Sequence, residues 1–117
     1  MPDTKTYAAS LRDHLAHRPE ISEKHMFGGD FFMLNGNMLC GIGKYGFMFR
    51  VGSDNEAEAL RLPGAEPVAM GRKMPGFVHV EPEAALQTGL DTWLALTERY
   101  VGAMPPKDRR LGRGQQG

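Results

Sequence analysis

Cysteine is almost missing from this chain: Cys40 stands alone among 117 residues. A single thiol excludes an internal disulfide and removes the usual ligand set of a structural zinc site. Long apolar runs are missing as well. No stretch approaches the roughly 20 apolar residues that a membrane-spanning helix requires. The opening residues MPDTKTYAAS have neither a basic start nor an apolar segment, so no signal peptide is expected. The expected location is therefore the cytoplasm, with no membrane contact. Net charge is zero, which removes the overall basic excess of many nucleic-acid binders. H-E-x-x-H and G-x-S-x-G do not occur, and the carboxylates are scattered without a spacing that marks acid–base work. Of the four histidines, His14, His17, His25 and His79, only the first two sit at helix-adjacent spacing. The expectation is no catalytic set, no metal and no cofactor.

What the chain does have is patterned apolar residues. At 117 residues and 41% apolar composition, one domain with one core is expected. Tyr7, Ala8, Leu11 and Leu15 share a helical face, which predicts a helix from about Thr4 to His17, with Pro19 beyond it as a stop. Ser22 to Phe27 reads as the start of a strand, with Gly28-Gly29 as a bend. Asn35-Gly36 is the favoured pair for a two-residue hairpin turn, since both positions need positive φ. That turn sets Leu34 opposite Asn37, Met33 opposite Met38, and Phe31 opposite Cys40. A second hairpin around residues 43–46 sets Ile42 opposite Phe47. Strict alternation then collects Phe31, Met33, Met38, Cys40, Ile42, Phe47, Phe49 and Val51 on an inward face. The other face receives Phe32, Leu34, Leu39 and Met48 with Asp30, Asn37 and Arg50. It is too apolar for bulk water and too polar for a core.

Downstream, Ser53-x-x-Glu56 has the form of a capping box opening a short helix to Leu60. Pro67 to Met70 and Phe77 to Val80 predict two strands around a loop at 71–76. Thr88-x-x-Asp91 has the same capping form. Leu90, Trp93, Leu94, Thr97, Tyr100 and Val101 make the stripe of a final helix to about Ala103. The expected fold is α+β, a single domain ordered α-βββ-α-ββ-α, with helices packed on one face of an antiparallel sheet. The domain is expected over 1–104. Residues 105–117, PPKDRRLGRGQQG, place Lys107, Arg109, Arg110 and Arg113 against Asp108, leaving 10 basic and 13 acidic residues elsewhere. They read as a flexible basic tail.

Two motifs invite a chemical reading. Gly41 to Gly46 spells G-x-G-x-x-G, the dinucleotide fingerprint, but the residues that follow, Phe-Met-Phe-Arg-Val, have a strand pattern. A fingerprint needs a helix there to present its N-terminus to a pyrophosphate, so these glycines are read as hairpin turn residues. Cys40 is sent inward by its register and is read as a small buried hydrophobe, with a nucleophile paired to His25 or His79 as the alternative. Arg72-Lys73 on its loop, together with Arg109 and Arg110, is the candidate contact for an anion or nucleic acid. Phe32, Leu34, Leu39, Met48 and Arg50 are the candidate interaction surface, because arginine among aromatics and methionines is a common interface composition.

In order along the chain, MFGG, FFMLNGNMLCGI, FMFRVG, LPGA, PVAMGRKMPGFVHV and WLALTERYVGAMPPK resemble the TfoX/Sxy N-terminal domain family. The resemblance covers about Tyr7 to Lys107. It implies a small α+β domain with an antiparallel sheet in a bacterial cytoplasmic protein without known enzymatic activity. The family's full-length competence regulators add a helical C-terminal domain and act as co-activators with the cyclic-AMP receptor protein. The expectation here is the N-terminal domain standing alone. No agreed catalytic residues exist to carry over.

The expected function is that of a non-enzymatic interaction module, a homodimer or the binder of a protein partner, in transcriptional co-regulation by protein contact. One alternative is nucleic-acid binding through the basic tail and the Arg72-Lys73 loop. The other is a small-molecule-binding domain or enzyme of unknown substrate.

Overall fold

The Asn35-Gly36 turn forms as its residue types require: φ is 52° at Asn35 and 83° at Gly36, the left-handed values of a type I′ turn. In the computed structural model, which describes residues 4–16, 18–26, 28–44, 46–69 and 73–106, this turn joins β2 (Gly29–Leu34) to β3 (Asn37–Gly43). Leu34 pairs with Asn37 and Met33 with Met38, as the turn dictates. Beyond them the register shifts, and Phe32 rather than Phe31 meets Cys40. Leu39 is the extra residue of a β-bulge. A bulge interrupts alternation, and Leu39 and Cys40 both enter the same core. The predicted Phe31–Cys40 pair is thereby displaced by one, and Phe31 lies opposite Gly41.

Six strands form one antiparallel sheet in the order β1-β2-β3-β4-β6-β5. The others are β1 (Ile21–Met26), β4 (Gly46–Arg50), β5 (Ala65–Ala69) and β6 (Lys73–Val80). The predicted Ile42–Phe47 pair is present. Four helices are described: α1 (Thr4–Leu15), α2 (Glu56–Leu60), α3 (Pro82–Thr88) and α4 (Leu90–Val101). Their buried residues join one apolar cluster with Phe32, Leu34, Leu39, Cys40, Ile42, Phe47, Phe49, Val78 and Val80 of the sheet. The described helices therefore cover a single face, and the fold is α+β.

An aromatic run crosses this core from α1 to α4. Tyr7 meets the edge of Phe47 at 5.5 Å between centroids. Phe47 stacks near Phe49 at 5.8 Å, and Phe49 stacks on Trp93 at 4.9 Å with planes 9° apart. Such pairs add about 0.5–1.5 kcal/mol each beyond the area they bury. Asn37, itself buried, donates from Nδ2 to the Pro105 carbonyl at 3.0 Å. This ties the chain after α4 to the β2–β3 turn.

Four expectations change. Residues 21–26 form a full strand, and α3 is an additional helix, started by Pro82 in its first turn, where a missing N–H costs nothing. β6 begins at Lys73, so much of the expected 71–76 loop is strand. Neither capping box forms: the helices at 56–60 and 90–101 have no side-chain cap bond. Glu56 Oε1 instead accepts the Gly76 backbone N–H at 2.9 Å, committing its carboxylate to β6.

Candidate interaction surface

Alternation along the strands determines what the helix-free face carries. β1 contributes Lys24 and Met26, β2 contributes Phe31 and Met33, and β3 contributes Met38 and Gly41. Across the sheet, β4 adds Met48 and Arg50, β6 adds Phe77 and His79, and β5 adds Glu66 and Val68. Phe31, Met48 and Val68 are buried as a small second cluster. Met26, Met38, Met74 and Phe77 pack against it while staying partly exposed. Five of the chain's eight methionines thus share this face. Thioether side chains adapt to irregular partners better than branched ones.

Gly41 and Phe31 act together here. The Phe31 ring lies over Gly41, where any Cβ would enter the ring. The glycine bares its backbone and the cross-strand aromatic covers it, a pairing known to support weak strand positions. This contact accounts for the first glycine of the G-x-G-x-x-G. Gly43 and Gly46, the second and third, face each other where β3 turns into β4. A strand follows Gly46, not a helix.

Arg50 closes β4 at the rim of this face. Its guanidinium carbon lies 5.4 Å from the Phe77 ring centroid and 5.7 Å from that of Tyr100 on α4. Among the described residues no carboxylate comes within ion-pair distance of it. The Tyr100 ring lies close against Gly52, where any Cβ would collide with it. His79 is half-buried opposite Met48. Burial lowers its pKa, and the Glu66 charge opposes that in part.

The residues expected to form the surface separate into two groups. Met48 and Arg50 lie on the helix-free face. Phe32, Leu34 and Leu39 do not: they are 1%, 2% and 0% exposed in the helix-covered core. The Leu39 bulge explains the correction, because beyond it the β2 side chains are reversed relative to strict alternation. Phe31, Met33 and Met38, expected inward, take the open side instead. Asp30 and Asn37 also belong to the helix side. Of the candidate anion contacts, Arg72, Arg109 and Arg110 lie outside the described residues. Lys73 opens β6, and its side chain is likewise outside them.

Cys40 is buried in the main core. Burial, reinforced by the Glu98 charge, pushes its thiol far above the ordinary range. His79 lies on the opposite sheet face, and His25 is engaged with Asp30, so neither supplies the thiol with a base.

One grouping was not legible in the sequence. Donor atoms of Glu23, His25 and Asp30 lie within 4.8 Å of one another. Cross-strand pairing of His25 with Asp30 produces it, with Glu23 two residues along on the same side. Glu23 is already bound by Arg12, which donates from Nε at 2.9 Å and from a second nitrogen at 2.6 Å. Those bonds lower the Glu23 pKa. Nearby, Arg12, Leu15, Arg18, Glu23 and Phe32 border a cleft of about 250 Å³ between α1 and the sheet. That is below the usual volume of a ligand pocket. Its two arginines are engaged, Arg12 by Glu23 and Arg18 by Glu98 and Glu20. No described helix is long and apolar enough to cross a membrane.

No curated protein and no solved structure gives a significant match to this chain. The profile of the TfoX N-terminal domain matches residues 13–99, a span from the second half of α1 to the last turn of α4. That is well over half of the 117 residues, and the chain belongs to the TfoX N-terminal domain family.

Proposed function

We propose that this chain is a non-enzymatic protein-contact module and that the methionine-lined sheet face is its contact surface. The role it fits is transcriptional co-regulation in the cytoplasm through contact with a second copy or with another protein. One observation carries the reading. The described helices all cover one side of the sheet, while the other side holds partly exposed methionines and Phe77 with an arginine at the rim. Methionine, aromatic residues and arginine are the types enriched at protein interfaces. The burial of Cys40 and the occupied arginines of the α1 cleft support a role without chemistry.

The test compares wild type with a Met38→Asp/Phe77→Asp double variant, after the melting temperatures of both have been matched. Each is immobilised and offered extract from the cell that makes it, and each is sedimented at micromolar concentration. The reading expects a self-association or a captured protein that the double variant loses. A wild-type monomer that retains nothing beyond what the double variant retains would sink it.

A further inference from the structure

Among the described arginines, Arg50 and the exposed Arg61 have no ion-pair partner, and of these two only Arg50 is partly buried. Arg12, Arg18 and Arg99 are each engaged by a glutamate. Arg50 is partly buried, yet it has two aromatic rings for neighbours and no carboxylate among the described residues. Both rings lie within cation–π range of the guanidinium, an attraction that uses none of its N–H groups as hydrogen-bond donors. Those groups form the fork that binds a carboxylate through two parallel hydrogen bonds. Phe77 packs against the second apolar cluster, and the Tyr100 ring lies against Gly52, where a Cβ would collide with it. Tyr100 is also 36% exposed, one of two large apolar side chains so exposed among the described residues. The cation is thus pre-set beside an apolar surface, with part of its ordering cost already met.

We infer that Arg50, clamped by Phe77 and Tyr100, anchors an acidic side chain of another protein, on an amphipathic helix whose apolar side lies on the methionine face. This rests on the contact-surface reading and adds the partner's chemistry. The charges on the face favour an unlike partner. Among the described side chains, Lys24 and Arg50 stand against Glu66 alone, and burial biases His79 toward its neutral form. A second copy laid face to face would bring basic groups to a basic surface, whereas an acidic partner complements them. A helix suits the geometry because it would complete the second layer that the four helices already supply on the other side.

The probes are two synthetic 18-residue amphipathic peptides with the same leucine face, one bordered by glutamates and the other by glutamines. Binding is read by fluorescence anisotropy and by the NMR signals of ¹³C-labelled methionine methyls in the full chain. The glutamate peptide is expected to shift the Met38, Met48 and Met74 methyls and to bind about tenfold more tightly than the glutamine peptide, the gain of one charge-assisted fork. Arg50→Gln removes that ratio without changing affinity for the glutamine peptide. Tyr100→Leu, which opens the clamp and keeps the charge, reduces it. Equal binding of both peptides, unaffected by Arg50→Gln, overturns the anchor and leaves the contact face standing. Methyl shifts that follow protein concentration without any peptide make a second copy the occupant and also overturn it. If neither peptide moves a methyl at millimolar concentration, the anchor and the face fall together.

Discussion

The two faces of this sheet are built from the same strands, and neighbouring residues serve opposite ones. The helix-covered side holds phenylalanine, valine, leucine and isoleucine, with Trp93 stacked on Phe49. Among the described residues only Met104, from beyond α4, brings a methionine to it, and only partly buried. The open side holds five methionines and very few branched side chains. Stiff side chains with few rotamers specify one packing, while unbranched thioethers accept several. The difference separates what the domain needs in order to be itself from what it needs in order to meet something else.

The strongest way to break this comparison uses adjacent residues. Leu39→Asp places an unpaired carboxylate in the core and should cost about 4 kcal/mol or more, enough to abolish cooperative folding. Met38→Asp, one residue away, should cost less than about 1 kcal/mol. Urea titration followed by Trp93 fluorescence measures both, and equal costs would mean that the faces are not distinct. Phe49→Ala should remove about 3–5 kcal/mol by deleting the stack on Trp93 and leaving a cavity, and calorimetry reads the loss. Gly41→Ala tests a tight contact on the open side. It should cost about 1–3 kcal/mol through collision with Phe31, and a double-mutant cycle with Phe31→Ala should recover most of it.

Two smaller effects sharpen the picture. The folded-state pKa of His79 is depressed by burial, so the unfolded chain binds the proton more readily. Stability should therefore be undiminished above the unfolded pKa of about 6.5 and fall as the pH drops below it, levelling off under the folded pKa. His79→Asn should flatten that part of a stability-against-pH profile. Arg12→Ala breaks a largely exposed pair with Glu23 and should cost less than about 1 kcal/mol, with the loss shrinking in high salt. The pair's contribution also disappears in acid. The folded Glu23 pKa is lowered, so its stabilisation is present above the ordinary carboxylate range and fades as pH falls through the folded pKa.

Much of the architecture was legible in the residues. Asn35-Gly36 fixed the hairpin start, and the stripes of Tyr7–Leu15 and Leu90–Val101 gave the two long helices. The Leu39 bulge was not legible, because Leu39 and Cys40 are both apolar and either satisfies an inward position. One unmarked extra residue reversed β2 and with it three of the five expected surface residues. The short α3 escaped because Pro82–Thr88 is too brief to display a period. Ser53 and Glu56 had the spacing of a cap, but Glu56 found the Gly76 N–H, a partner distant in sequence. Arg50 was noticeable by composition. Its clamp was not, because Phe77 and Tyr100 reach it only through β6 and α4.

The gathering of methionines has a chemical consequence apart from binding. Thioethers are readily oxidised, and each sulfoxide replaces a soft apolar tip with a polar one. Peroxide would therefore alter this domain on one side. Met26, Met38 and Met74 are partly exposed there, while the helix-covered core offers the oxidant little beyond Met104 and the sealed thiol of Cys40. A mildly oxidised population would keep its fold and lose its apolar face, and reduction of the sulfoxides would restore it.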